Sequence, residues 1–181
     1  MSQKIIFSKV IAGCDFGWSN PMACVIAGLD SDDRLYVIDE FYLKNCLIDQ
    51  FVEICKGFKE KYGVSRFLCD PSEPGYIRQM RNAGLNAIGA KNDVLAGINL
   101  VATRIDIKKD GRPRLFINSK CVNTLMEFEN YRYPDVGEEK PVQENPVKIF
   151  DHSMDCIRMM VLDLEGGFKI VYLSDPEGIL I

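Results

Sequence analysis

The chain has 181 residues, of which 47% are hydrophobic and 27% charged, and its formal net charge is −4. This size and composition predict one soluble globular domain with a full hydrophobic core. No apolar run approaches the ~20 residues that a membrane-spanning helix needs, and the acidic balance argues against a surface that coats nucleic acid.

The first predicted elements are three β-strands, at 8–15, 22–29 and 34–42. The first two are joined by a short turn and form a hairpin, and the first strand ends on Asp15. A carboxylate at the end of a buried strand is costly unless a cation holds it. A helix follows at 47–62, where apolar residues recur at the helical period and Gly63 fits the stop.

The second part of the chain alternates strands and helices. A buried strand at 66–70 ends on Asp70, and Pro74 begins a helix that stops at Gly84. The remaining predictions are a strand at 85–90, a helix that Asn92 or Asp93 can cap and that ends at 105, a turn at 111–114, a helix at 119–131, a polar loop at 133–146, a helix at 151–165 and an apolar run within 168–181. This order predicts an α/β fold with a mixed central β-sheet, three antiparallel strands followed by parallel strands, flanked by helices.

Seven cysteines are spread along the chain without a C-x-x-C pair, and most lie inside apolar runs. This pattern favours buried, reduced thiols in an intracellular protein over a disulfide framework or a zinc site. The cysteines are Cys14, Cys24, Cys46, Cys55, Cys69, Cys121 and Cys156.

Two acids, Asp15 and Asp70, each end a predicted core strand. Ligands bind at that edge of an α/β sheet, so the two carboxylates converge if the strands are neighbours. Two close carboxylates repel each other, and a divalent cation removes the conflict. Oxygen ligands of this kind suit Mg²⁺ or Mn²⁺.

A third set of polar residues opens the last predicted helix. Asp151, His152 and Asp155 lie three or four residues apart, on adjoining faces of that helix, and His152 is the only histidine of the chain. The alternative interpretation is structural: Asp151 would be the N-cap of the helix, and Asp155 a first-turn acid favoured by the helix dipole.

Taken together, these motifs resemble a known family. The segments from Gly13 to Ala23, from Phe67 to Ile77 and from Asp151 to Arg158 are similar to the three acidic motifs of the nuclease domain of the large terminase subunit of tailed bacteriophages. The segment from Gly89 to Ile98 resembles the family's lysine-containing stretch. Cys156 takes a position where the family has a small residue, and Met159 stands where tyrosine is common.

The resemblance implies a ribonuclease H-like fold and a metal-dependent endodeoxyribonuclease. Asp15, Asp70 and Asp155 would bind the metal, with His152 as a catalytic assistant and Asp151 as an auxiliary. The implied reaction is two-metal hydrolysis of a DNA phosphodiester, with two ions of Mg²⁺ or Mn²⁺, in the cutting of concatemeric viral DNA during genome packaging.

The implied substrate is double-stranded DNA, contacted independently of its sequence through the phosphate backbone. Between Arg78 and Lys120 the chain has nine basic and three acidic residues, and this surplus is either a phosphate-binding patch or a solvated face. The candidate DNA-binding residues are Lys91, Arg78, Arg81 and Arg104.

The resemblance also implies further parts of a packaging motor. A stretch at 84–92 approaches the P-loop pattern, but its lysine is misplaced and the Ser/Thr is missing, so we expect residues 1–181 to be a single nuclease domain without the ATPase domain. The ATPase domain, the small terminase subunit and the portal would be partners, in the cytoplasm of the bacterial host and away from any membrane.

Three alternatives compete with this hypothesis. One is another ribonuclease H-like nuclease, such as a Holliday-junction resolvase. A second is a sugar-kinase or actin-like ATPase, which needs a second phosphate-binding lobe that 181 residues cannot supply. A third is a DNA-binding module without catalytic activity, which the three acids argue against. Asp39, Glu40 and Glu73 are spare acids, and Glu40 and Glu73 are candidates for supporting the site.

Overall fold

The sheet of this protein has six strands, as described by a computed structural model that covers residues 5–131 and 151–165. The order across the sheet is β5-β4-β1-β2-β3-β6. β2 is antiparallel to β1 and β3, whereas β4 and β5 run parallel to β1, and β6 runs parallel to β3. The strands are β1 (Lys9–Asp15), β2 (Met22–Leu29), β3 (Leu35–Leu43), β4 (Arg66–Cys69), β5 (Ala87–Gly89) and β6 (Leu115–Ile117).

Helices cover both faces of the sheet, so β1 and β2 are buried on both sides and have nearly continuous apolar sequences. α1 (Ile48–Tyr62) and α2 (Pro74–Asn82) pack against one face. α3 (Val94–Ile105), α4 (Val122–Asn130) and α5 (His152–Glu165) pack against the other. The two faces take alternate residues of β1, because side chains of a strand alternate between its sides.

All seven cysteines are free and buried, as the sequence predicts. On the α1–α2 face, the sulfur atoms of Cys14, Cys24 and Cys55 lie within 4.8 Å of one another. Burial raises the pKa of Cys14 and Cys24 well above that of an ordinary thiol. These two side chains are therefore neutral and pack as small apolar groups.

The mixed sheet flanked by helices confirms the predicted fold class. Of the two predicted caps of α3, Asp93 is the correct one, because its carboxylate accepts a hydrogen bond from the Ala96 N–H. One strand was not predicted: β6 has only three residues, too few to show an alternating pattern, and pairing with β3 forms it. None of the described helices is both long and apolar enough to cross a membrane. The predicted loop at 133–146 and the apolar run within 168–181 lie outside the described residues.

Candidate active site

Two of the predicted ligands follow paired positions on neighbouring parallel strands. Cys14 of β1 is in register with Cys69 of β4, and the Asp70 N–H donates to the Cys14 carbonyl (2.9 Å). Asp15 and Asp70 therefore leave the sheet side by side, on strands about 4.8 Å apart. Alternation of side chains directs both carboxylates to the face that α5 covers.

A glycine in β1 lets α5 approach this edge. A Cβ at Gly13 would lie 2.4 Å from the Cys156 carbonyl oxygen, so only glycine allows the helix backbone to rest on the strand there. Cys156 is fully buried in the same contact, which explains the small residue at this position. At its far end, α5 is tied to β4 by an ion pair between Arg66 and Asp163 (2.8 Å). This packing brings Asp155 and His152 to the carboxylates of the sheet edge.

His152 contacts Asp15, the first of the predicted ligands, directly. Its Nδ1 lies 2.7 Å from Oδ2 of Asp15, and because a carboxylate only accepts, Nδ1 carries the hydrogen. The hydrogen bond to Asp15 raises the pKa of His152 despite burial. Burial raises the pKa of Asp15, and the hydrogen bond from His152 opposes that change. The predicted association of the only histidine with the acids is therefore present in the structure.

Asp155 is held by a cation of its own helix. Arg158 donates from Nε (3.2 Å) and Nη2 (2.6 Å) to Oδ1 of Asp155. Burial raises the pKa of the Asp155 carboxyl to about 6, although Arg158 opposes this shift. In the described part of the chain, each of the three acids accepts hydrogen bonds on one carboxylate oxygen: Oδ2 of Asp15, Oδ1 of Asp70 and Oδ1 of Asp155. The second oxygen of each acid stays available to another ligand.

The three acids open into one cavity of about 590 Å³, which Asp151 and His152 also line. The carboxylate oxygens of the three acids do not all lie within 4.8 Å of one another. Among the described residues, only the sulfur atoms of Cys14, Cys24 and Cys55 form a group of potential metal ligands that compact. Charge on Asp70 and Asp151 nevertheless raises the pKa of Asp15 further. Carboxylate oxygens of this kind are hard donors, which suit a divalent cation.

The sequence did not predict the group that anchors the first turn of α5. Glu127 of α4 is fully buried, and its carboxylate accepts from the N–H groups of His152 (3.3 Å), Ser153 (2.6 Å) and Met154 (3.2 Å). Tyr42 of β3 donates to the same carboxylate (2.6 Å). An anion at a helix N-terminus satisfies unpaired donors and complements the helix dipole. The sequence offered Asp151 as the N-cap of this helix. The described N–H groups of its first turn instead donate to Glu127.

A second acid fixes α4 in the same way. Glu40 of β3 accepts from the N–H groups of Asn123 and Thr124 and from both of their side chains, at 2.6 to 2.9 Å. Glu40 therefore holds α4, and α4 holds α5 through Glu127. Glu40 does not line the acidic cavity, and its contact with the site is indirect, through α4 and Glu127. Glu73 lies at the exposed start of α2, where its carbonyl accepts from Tyr76 and Ile77.

The predicted basic patch is divided by the fold. α3 connects β5 to β6 at opposite edges of the six-stranded sheet, so Arg78, Arg81 and Lys91 lie far from residues 108–114. Lys91 lines a separate cavity of about 320 Å³ with Arg66 and does not line the acidic one. Arg78 is exposed, and Arg81 is exposed with its Nε donating to the Ala87 carbonyl.

Arg104 is the candidate that the structure contradicts. It is only 4% exposed, and its guanidinium is paired with Asp33 (3.0 Å) and Glu165 (2.8 Å). These contacts tie α3 to α5 and leave the guanidinium inaccessible to a phosphate. Arg104 lies on the same face of α3 as Gly97 and Val101, and these three are the buried residues of that helix.

Comparisons with known proteins agree with the sequence motifs. No family model and no curated protein matches the chain. The large terminase of a thermophilic bacteriophage has a solved structure that superposes with a TM-score of 0.77 at 28% identity, over 90% of this chain and 41% of that one. The chain thus spans about two fifths of the length of that terminase.

Isolated nuclease domains match over most of their length. The nuclease domain of the bacteriophage SPP1 large terminase, solved with bound Mn, gives a TM-score of 0.69 at 23% identity, over 88% of each chain. The P22 large terminase nuclease domain gives a TM-score of 0.65 at 21% identity, over 84% of this chain and 80% of that one. The resemblance predicted from the motifs is therefore confirmed in the structure: the chain has the ribonuclease H-like fold of the nuclease domain of phage large terminases.

Proposed function

We propose that this chain is a metal-dependent DNA endonuclease that cuts concatemeric viral DNA during genome packaging. One observation carries the proposal: Asp15, Asp70 and Asp155 line a single cavity with His152, at the carboxyl edge of a terminase-type sheet. Double-stranded DNA would be the substrate. The ATPase domain, the small terminase subunit and the portal would be its partners in the motor, in the host cytoplasm.

The proposed ligands are Asp15, Asp70 and Asp155, with Asp151 as an auxiliary on the same cavity. When bound, two divalent ions, Mg²⁺ or Mn²⁺, would supply the charge that activates a water molecule and stabilises the leaving oxygen. The bound Mn of the SPP1 nuclease domain belongs to that protein, and it supports this choice of cation. The oxygen of each acid that accepts no hydrogen bond from the described residues is the one available to an ion.

The other residues orient these ligands. His152 fixes the position of Asp15 through Nδ1, and its Nε2 would be the nitrogen that accepts or returns a proton near the phosphate. Arg158 holds Asp155 in one orientation. Lys91, Arg78 and Arg81 would contact phosphates outside the cavity, and such contacts carry no base information. Arg104 is excluded from this role because it is buried and paired.

Plasmid cleavage in Mg²⁺ or Mn²⁺ tests the proposal. Asp15→Asn should lower the rate by more than the ~10–100-fold that outer partners of metal ligands contribute. Asp106→Asn is the matched control, because Asp106 is an exposed acid at the end of α3. Equal cleavage by the wild type and Asp15→Asn, or cleavage by neither with any divalent ion, would show that the proposal is wrong.

Metal binding is tested separately by calorimetry with Mn²⁺. Asp15→Asn, Asp70→Asn and Asp155→Asn should each weaken binding, whereas Asp106→Asn should not. Unchanged Mn²⁺ affinity in all three variants would contradict the ligand assignment even if the chain cuts DNA. A preference for four-way junctions over linear duplex would instead favour a resolvase.

A further inference from the structure

The only tryptophan of the chain is exposed at the rim of the acidic cavity. Trp18 lies in the loop 16–21 between β1 and β2, and its side chain is 57% exposed. The same cavity is lined by Asp15, Asp70 and Asp155. An exposed indole at the rim of a cavity offers a flat apolar face and an N–H donor to a ligand that enters it.

The loop is held firmly, although Trp18 is exposed. A Cβ at Gly17 would lie 2.6 Å from the Asn20 carbonyl oxygen, so glycine allows the loop to fold tightly on itself. Phe16 packs into the core, with ring centroids 5.9 Å from Phe51 and 5.4 Å from Tyr76. The fold thus packs one aromatic residue of the loop, half-buried, against the core and leaves the other in solvent.

A second anchor joins the loop to the turn after β3. The Asn45 N–H donates to the Trp18 carbonyl at 2.9 Å, and Asn45 has a left-handed backbone with φ of 54°. Lys44 precedes it, is exposed and lines the cavity. Within residues 5–131 and 151–165, Lys44 forms no ion pair. The anchor joins the loop to this turn, and Trp18 and Lys44 line the same cavity.

The charge of the cavity indicates which kind of ligand Trp18 and Lys44 bind. Four acids line the cavity, and Lys44 is the only lysine or arginine among its described lining residues. A DNA strand entering the cavity meets repulsion from the acids unless cations are bound, so Lys44 gives its backbone a local attraction. An indole stacks on nucleobases, and such stacking does not depend on the base. A paired duplex hides the faces of its bases, whereas an unpaired strand exposes them.

We propose that Trp18 and Lys44 form a binding site for an unpaired DNA segment next to the scissile phosphate. A nucleobase stacks on Trp18, and the phosphate beside it contacts Lys44. This inference rests on the proposed nuclease function and adds a substrate preference to it. DNA that is frayed, nicked or locally opened should bind this cavity more tightly than an intact duplex.

The fluorescence of the single tryptophan gives a direct test. The 181-residue chain is used with Asp15→Asn, a substitution chosen to prevent cutting. It is titrated in Mg²⁺ with three DNAs: a single-stranded oligonucleotide, the paired duplex, and the duplex with one unpaired base. The single strand and the unpaired base should quench the emission, and the paired duplex should quench it less. Equal quenching by all three DNAs would overturn the inference.

Variants test the same contact by anisotropy of a labelled oligonucleotide. Trp18→Ala should weaken single-strand binding about tenfold or more and change duplex binding little, with Trp18→Phe in between. Lys44→Ala should lower the salt dependence of binding by about one phosphate contact. Ile107→Ala, an exposed apolar residue outside the cavity (67% exposed), is the matched control and should bind as the wild type does.

The outcomes separate this inference from the proposed function. If plasmid cleavage depends on Asp15 but Trp18→Ala binds the single strand as the wild type does, the nuclease proposal stands and the stacking site is wrong. If no DNA binds in any variant and no plasmid is cut, both proposals are overturned. An unchanged melting temperature in Trp18→Ala shows that the exposed side chain is not needed for folding.

Discussion

Glu127 offers the sharpest test of how this fold positions its site. Its buried carboxylate accepts four hydrogen bonds, three from the first turn of α5 and one from Tyr42. Burial raises the pKa of Glu127, so desolvation offsets part of what these bonds contribute. Replacing it by alanine leaves four donors without this partner, two of them buried, and we expect a loss of about 3–5 kcal/mol in the free energy of unfolding.

Glutamine is the milder variant, because its amide oxygen still accepts while its NH₂ group faces other donors. We expect Glu127→Gln to cost about 1–3 kcal/mol. For a domain of this size, the alanine variant should melt at least about 6 °C lower. Because His152 belongs to the turn that Glu127 caps, plasmid cleavage should also fall, even where circular dichroism shows a folded chain.

The assay is thermal melting, which measures stability, together with calorimetry, which measures Mn²⁺ binding. Glu129→Gln is the matched control, because Glu129 lies on the same helix, two residues away, and is exposed. The free energy of unfolding of this control should lie within about 0.5 kcal/mol of the wild-type value. If Glu127→Ala and Glu129→Gln melted at the same temperature, the capping argument would be refuted.

Four further predictions concern the packing and charge of the fold and of its site. Gly13→Ala should destabilise the chain by about 2–4 kcal/mol and weaken Mn²⁺ binding, because its Cβ meets the Cys156 carbonyl. Gly57→Ala, on the open side of α1, should instead stabilise it by about 0.5–1 kcal/mol in a denaturant titration. The pKa of Asp155 is raised to about 6, above its value in the unfolded chain, so the metal-free protein should lose stability as pH rises from about 4 to 7. Asp155→Asn should weaken that dependence, and an unchanged melting profile would contradict the assigned shift. Arg104→Gln should lower the melting temperature by the loss of its ion pairs without changing DNA affinity, and a clear loss of affinity would restore its predicted role.

Local signals in the sequence were enough to predict most of the elements. The strand ending on Asp15, the helix stop at Gly63 and the N-cap Asp93 depend on periodicity, glycine conformation and capping, which involve residues close in sequence. The same signals placed Asp15 and Asp70 at the ends of strands, and Asp155 with His152 in the first turn of a helix. The rule that ligands bind at the carboxyl edge of such sheets predicted that the first two converge, and the resemblance to the terminase family implied that the helix residues join them.

Tertiary structure decided what those local signals cannot contain. Glu127 lies 25 residues before His152 in the chain, so its role as a cap depends on how α4 packs against α5. Likewise, the basic residues between Arg78 and Lys120 are neighbours in sequence, but α3 carries the chain from one edge of the sheet to the other and separates them. Periodicity predicted where the helices lie, and the charged residues predicted a basic patch. Only packing determined which charges are buried in pairs, such as Arg104, and which side chains, such as Trp18, remain exposed beside the site.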